Sequence, residues 1–302
     1  MDTITHSLAS SRLGIILASI AGASLPPRIG YRLADWLGER AAGQVSAYAV
    51  KAVLANQSII GNGILDEEIA QRATATFRHA ARCYYDLFHY LNRPNKMQAL
   101  VQYSADLSEW ILHSQKGDLP LVFVCPHLSN FDFVGYAVAL KGLRAQVISL
   151  KQPDHHYRLQ NDVRRQSGLE VTPLSNQALR LAGKRLENGG AILTALDWPM
   201  PGAKYRPTFF GRPAALPTLH ARLAQKTGAL IVVVAAFQKP DGSYVILSAE
   251  PIESRSKEKG KEGIMEITEA ALRIAEAFIR RAPHQWLMFR PIWPEILYDA
   301  SG

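Results

Sequence analysis

Two cysteines, Cys83 and Cys125, are too few for a disulfide framework or a cysteine zinc cluster. Long hydrophobic runs are also missing. The most apolar stretch, Leu13–Leu25, falls short of the ~20 residues that a membrane-crossing helix needs. Acidic residues are outnumbered, 26 against 34 Lys and Arg, which leaves a formal charge of +8. That balance favours an anionic partner. No helix-turn-helix, zinc finger or aromatic RNA-binding signature is present, so nucleic acid is not the expected partner. Internal repeats are absent as well. A composition of 48% hydrophobic and 20% charged residues is that of a globular chain rather than a disordered one.

What remains is a pattern in two parts. Up to about residue 118 the apolar spacing is helical, over Ile29–Leu37, Val45–Ile60, Asp66–Leu91 and Met97–Leu112. From residue 119 the pattern alternates. Strands are expected at Leu119–Cys125, Gln146–Leu150, Val171–Leu174, Ala191–Leu196, Thr208–Phe210, Ala229–Ala236 and Tyr244–Ala249. Helices are expected at Phe131–Leu140, His156–Ser167, Asn176–Asn188, Leu216–Thr227 and about 257–281. Near-continuous apolar strands between helices indicate an α/β fold, with a mostly parallel or mixed sheet covered on both faces. A single domain over 1–302 is expected, with 1–27 as a membrane-interface segment, 28–118 helical and 119–294 the α/β core. Residues 1–27 imitate a signal peptide at Ala21-Gly22-Ala23, but the start is poorly basic and Pro26-Pro27 would stop a helix. An interfacial helix fits better.

The strongest chemical signal is Cys125-Pro126-His127-Leu128-Ser129-Asn130-Phe131-Asp132. An apolar strand ends in an imidazole, and a carboxylate follows within one turn of chain. A neutral imidazole is a general base near pH 7, and a carboxylate on its other nitrogen fixes the tautomer. The spacing alone is weak, because His113 and Asp118 repeat it. His113 ends a helix-like stretch before a Lys-Gly-Asp turn and is expected to be solvated, whereas His127 leaves a strand end, where catalytic side chains gather. Cys125 shares a strand face with His127, so a cysteine thioesterase or hydrolase is one alternative. A non-catalytic basic protein that binds anionic lipid is another. Asp154-His155-His156 has no third ligand at helical spacing, so no metal is expected.

Four segments in order resemble the bacterial lipid A biosynthesis late acyltransferases and the related phosphatidylinositol mannoside acyltransferases. They are His127-x4-Asp132; Arg164-Arg165-Gln166-Ser167-Gly168, like an Arg-x3-Gly block; Asp197-Trp198-Pro199 followed by Phe209-Phe210-Gly211-Arg212-Pro213-Ala214; and Ala282-Pro283-His284-Gln285-Trp286. The likeness covers about residues 119–294. The glycerol-phosphate acyltransferases share the His-x4-Asp device, and a fold of their type is expected. Trp198-Pro199-Met200 follows Asp197 where the lipid A branch often has a second acidic residue or a histidine. The 209–214 segment looks closer to the mannoside branch, so the acceptor stays open.

The resemblance implies transfer of a fatty acyl group from acyl-CoA or acyl carrier protein to a hydroxyl of a glycolipid or phospholipid. His127 would be the general base, Asp132 would orient it, and Arg164 would meet the oxyanion. Asn130, Asp197, Arg206, Phe210, Gly211 and Arg212 are the substrate-contact candidates, the two arginines for phosphate. No cofactor is expected beyond the acyl co-substrate. An anionic membrane surface is the expected partner, at the cytoplasmic face of the plasma (inner) membrane, and Trp286 and Trp293 could face it or be buried.

Overall fold

The computed structural model describes residues 22, 24–151, 155–254 and 260–299. Most of the segment expected at 1–27, and Asp154 with the side chains of His155 and His156, lie outside the described residues. Among the described residues three long helices precede the sheet: α1 (Pro27–Ala42), α2 (Tyr48–Gly61) and α3 (Asp66–Tyr90). Short α4 (Pro94–Ala99) leads to β1 (Val101–Tyr103) and α5 (Ala105–Lys116). The alternating part follows as β2 (Leu121–Cys125), α6 (Phe131–Leu140), β3 (Ala145–Ser149), α7 (His155–Gln166), β4 (Glu170–Pro173), α8 (Asn176–Glu187) and β5 (Ala191–Ala195). A small hairpin, β6 (Thr208–Phe209) and β7 (Arg212–Pro213), precedes α9 (Leu219–Thr227), β8 (Leu230–Gln238) and β9 (Tyr244–Ser248). The chain closes with α10 (Gly260–Arg281), a 3-10 turn at Pro283–Gln285 and α11 (Pro294–Asp299).

Seven strands form one sheet in the order β1-β9-β8-β2-β5-β3-β4, parallel except for the β8–β9 pair. The expected α/β class with a mixed, mostly parallel sheet is therefore present. Strand β2 is buried on both faces. Val122 and Val124 enter one core with α9 and α10, while Leu121 and Phe123 enter the other with α5 and α6. That two-sided burial is why its sequence is a continuous apolar run rather than an alternation.

Met97–Leu112, expected as one helix, is broken by β1. Val101–Tyr103 pairs in parallel with Tyr244–Ile246 at the sheet edge, a contact that helical periodicity does not reveal. The Ser104 side chain then accepts a hydrogen bond from Leu107 N–H at 3.3 Å and caps α5. Helix α6 starts where expected because Asn130 caps it, its side chain accepting from Phe133 N–H at 3.3 Å.

Candidate active site

Strands β2 and β5 are parallel neighbours, with Cys125 opposite Ala195. Two residues beyond each partner, His127 and Asp197 leave the sheet side by side at the carboxyl ends of the strands. The Asp197 carboxylate takes three hydrogen bonds: His127 Nδ1 at 2.6 Å, His127 backbone N–H at 2.8 Å and Trp286 Nε1–H at 2.8 Å. It is fully buried, and the imidazole is 11% exposed. With a carboxylate on Nδ1, a neutral ring keeps its proton there and leaves the Nε2 lone pair free. Phe131 and Trp198 flank the imidazole, their ring centroids 4.9 and 5.4 Å away.

The sequence expectation gave the orienting role to Asp132, and the structure corrects it. Asp132 is bound instead by Arg164, through Nε at 2.9 Å and Nη2 at 2.7 Å. Arg164 also donates to Asn161 Oδ1 at 3.0 Å, and its guanidinium lies 5.3 Å from the centre of the Tyr157 ring. Burial opposes the Arg164 charge, but Asp132 and Tyr157 together outweigh it and hold the pKa above the ordinary arginine value. The reason is geometric. Asp132 sits in the first turn of α6 beside α7, whereas Asp197 arrives in register from the adjacent strand.

The C-terminal segment locks this loop. Leu287 N–H donates to His127 O at 2.8 Å, Ser129 N–H donates to Gln285 O at 2.7 Å, and Leu128 forms an antiparallel bridge with Trp286. Ser129 is one of few non-glycine residues with positive φ, at 53°. The Ala282–Trp286 motif thus bears on the site through Trp286 and backbone, and none of its residues lines the cavity described below. Trp286 and Trp293 are both buried, so the interface-anchor reading does not hold for them.

His127, Asp132 and Arg164 line one cavity of about 500 Å³ that runs along the strand ends between α6 and α7. Most of its wall is apolar, including Val147, Leu169, Leu193, Met200 and Leu216. Three cations that sequence reasoning missed also line it: Lys151, Lys204 and Arg222, the last 5.0 Å from the centre of the Tyr205 ring. Among the described residues, Asp132, already matched by Arg164, is the one carboxylate in the lining. The cavity therefore suits an alkyl chain joined to an anionic group. Trp198 was adjacent to a singled-out residue and could have been found. The three cations stand on loops or an exposed helix face and have no sequence signal.

Other candidates fall elsewhere. Asn130 is buried and does not line the cavity; its amide donates to Cys83 O at 2.8 Å and ties α3 to α6. Arg206 and Arg212 are exposed and outside the cavity lining. Phe210 and Gly211 form the two-residue turn of the β6–β7 hairpin, with φ of 49° and 74°, the backbone of a tight type I′ connection. The Phe210 ring packs near Trp286 and Trp293 at 6.3 and 6.4 Å, and its N–H donates to Glu276 Oε1 at 2.6 Å. The hairpin backs the tryptophan that holds Asp197, and its residues do not touch the cavity. Cys125 lines the cavity, but burial, reinforced by Asp197, pushes its thiol up to about 12. That argues against a thiolate nucleophile at neutral pH.

The model of the bacterial lipid A biosynthesis acyltransferase family matches residues 8–295. Among curated proteins, the chain is similar to a phosphatidylinositol mannoside acyltransferase of Mycobacterium tuberculosis H37Rv, 26% identical over 183 residues. That match covers 58% of this chain and 55% of the relative. A protein of the same name from Mycolicibacterium smegmatis is 26% identical over 182 residues, covering 59% of this chain and 58% of the relative. The matched region thus spans little more than half the length of these relatives.

Proposed function

Since the chain belongs to the bacterial lipid A biosynthesis acyltransferase family, we propose that it transfers a fatty acyl group from a thioester to a hydroxyl of a glycolipid or phospholipid. The observation that carries this reading is the His127–Asp197 pair opening onto a long apolar cavity with a cationic rim. Nε2 of His127 takes the proton of the acceptor hydroxyl as its oxygen attacks the thioester carbonyl. Asp197 holds the ring and stabilises the imidazolium. Arg164, a buried cation at the same cavity, supplies positive charge toward the oxyanion. Collapse of the tetrahedral intermediate breaks the C–S bond, and the imidazolium returns its proton to the thiolate. Lys151, Lys204 and Arg222 suit a phosphate, which acyl-CoA, the acyl carrier protein arm and a phospholipid acceptor all bear.

Membrane association at the cytoplasmic face of the plasma membrane belongs to the same proposal. Among the described residues no helix is long and apolar enough to cross a membrane. Helix α1 instead exposes Ile29, Leu33, Trp36 and Leu37 on one stripe, with Arg28, Arg32 and Arg40 on the same helix. Its other face, Gly30, Ala34 and Gly38, is buried against α3, where a Cβ on Gly30 would lie 2.0 Å from the Tyr85 ring. An apolar stripe beside arginines supports docking on an anionic lipid surface.

The test is acyl transfer by the purified protein. Palmitoyl-CoA and an acylated carrier protein are offered with bacterial lipid extract, and mass spectrometry looks for a lipid that gains one acyl chain. A product made by the wild type and absent with His127→Ala supports the reading. Thioester cleavage without acylated lipid points to a hydrolase, and no consumption of any donor to a binding protein.

A further inference from the structure

A second, smaller chamber of about 70 Å³ lies under α6, between that helix and the faces of β2, β5, β8 and β9. Its lining is apolar, including Leu107, Phe123, Val138, Val234 and Ile246. Cys125, Pro126, Phe131, Gly135 and Leu193 line both this chamber and the main cavity, so the two share a wall that starts at the ring beside His127. Apolar space of this kind excludes water and favours an alkyl chain.

Gly135 is the informative residue in that wall. It lies inside α6, where glycine is the least favourable residue after proline. It is not among the positive-φ residues, and a Cβ built on it meets nothing within 4 Å. Gly30 and Gly38 are different, since each lets α3 approach closer than a Cβ would permit. At Gly135 neither backbone conformation nor packing requires the missing side chain. What its absence leaves is open space on the boundary of the two chambers.

We propose that the small chamber receives the methyl end of the acyl chain, and that Gly135 sets the longest chain the enzyme accepts. The inference rests on the acyl-transfer reading and deepens it by naming a residue that determines donor specificity.

The test compares kcat/KM for saturated acyl-CoA donors from octanoyl to stearoyl in the wild type, Gly135→Met and Val138→Phe. Methionine fits a helix and fills the shared wall; Val138 lines only the small chamber. Each buried methylene is worth about fourfold in affinity. Excluding two or more of them therefore lowers the longest donor at least about tenfold relative to the shortest, and the optimum moves to shorter chains. A profile identical to the wild type in both variants overturns the proposal. Where a variant loses all turnover, displacement of a fluorescent fatty acid by the same saturated series reads the chamber directly. Affinity rising with chain length in the wild type and flattening in Gly135→Met supports the proposal, and no such difference overturns it. Failure of the wild type to transfer from any donor sinks the acyl-transfer reading instead, and the displacement series still decides whether the chamber holds an alkyl chain.

Discussion

The molecule contains two His-x4-Asp sequences, and they fold in opposite ways. At His113 the spacing makes the bond it suggests: Nδ1 meets Asp118 Oδ1 at 2.8 Å across the Gly117 turn. Both side chains are open to water, 37% and 47% exposed, and they lie outside the cavity. At His127 the local aspartate is taken by Arg164, and the imidazole bonds to Asp197, 70 residues away in sequence. That pair is 11% and 0% exposed. A contact dictated by nearby sequence is solvated and screened, while the contact built across strands is dry, where a hydrogen bond to a charge is worth more. The difference teaches that a His–Asp bond does not by itself mark a site; burial at a strand end beside a cavity is what sets the His127 pair apart.

Substitutions can break or sharpen this contrast. The largest effect is expected for His127→Ala, with kcat for acyl transfer falling about 10²–10⁴-fold, against no loss for His113→Ala in the same assay. Asp197→Asn comes next. It removes the charge that holds the Nδ1 proton, so kcat falls by a comparable ~10²-fold or more. The buried acceptor of Trp286 and His127 N–H is weakened too, so the melting temperature drops, and circular dichroism would show it. Asp118→Asn should change neither. Asp132→Asn should act mainly on stability, because it leaves Arg164 buried without its carboxylate, a loss of ~3–5 kcal/mol in urea unfolding. If Asp132→Asn matched Asp197→Asn in kcat at unchanged stability, the assignment of Asp197 as the orienting residue would be wrong.

Asp86 extends the comparison to a buried carboxylate that has no ion pair among the described residues. It accepts from Tyr31 at 2.8 Å, Tyr244 at 2.6 Å and Gln238 at 3.1 Å, and burial raises its pKa to about 6. The folded state holds this proton more tightly than the unfolded chain. Its stabilising contribution is therefore full below the unfolded value and is lost as pH rises to about 6. A shift of this size corresponds to roughly 3 kcal/mol. Unfolding of the wild type and Asp86→Asn across that range should show the wild-type advantage shrinking as pH rises. An advantage that grows would mean the site favours the charged form. The smallest effect is expected for His113→Ala on stability, within about 0.5 kcal/mol, since exposed pairs contribute little.

Much of this was legible along the chain. Two-sided burial writes itself as a continuous apolar run, so β2, β5 and β8 stood out, whereas Asn130, expected at substrate, caps α6 instead. His127 was identifiable because it ends such a run. The β1 edge strand was not, because three residues that pair with β9 carry no period of their own. Arg206, Phe210, Gly211 and Arg212 fall outside the cavity lining for a related reason. An aromatic–glycine turn flanked by arginines has one sequence whether it faces a ligand or braces Trp286.

Sequence by itself determined the α/β class, the helical start, the place of His127 at a strand end and the exclusion of a disulfide scaffold, because each depends on local period, composition or a strand end. Tertiary structure alone decided that Asp197 orients the imidazole while Asp132 pairs with Arg164, and that Lys151, Lys204 and Arg222 share one cavity. Strand register and helix packing join residues that are distant along the chain, and spacing in the sequence does not encode which of several carboxylates arrives.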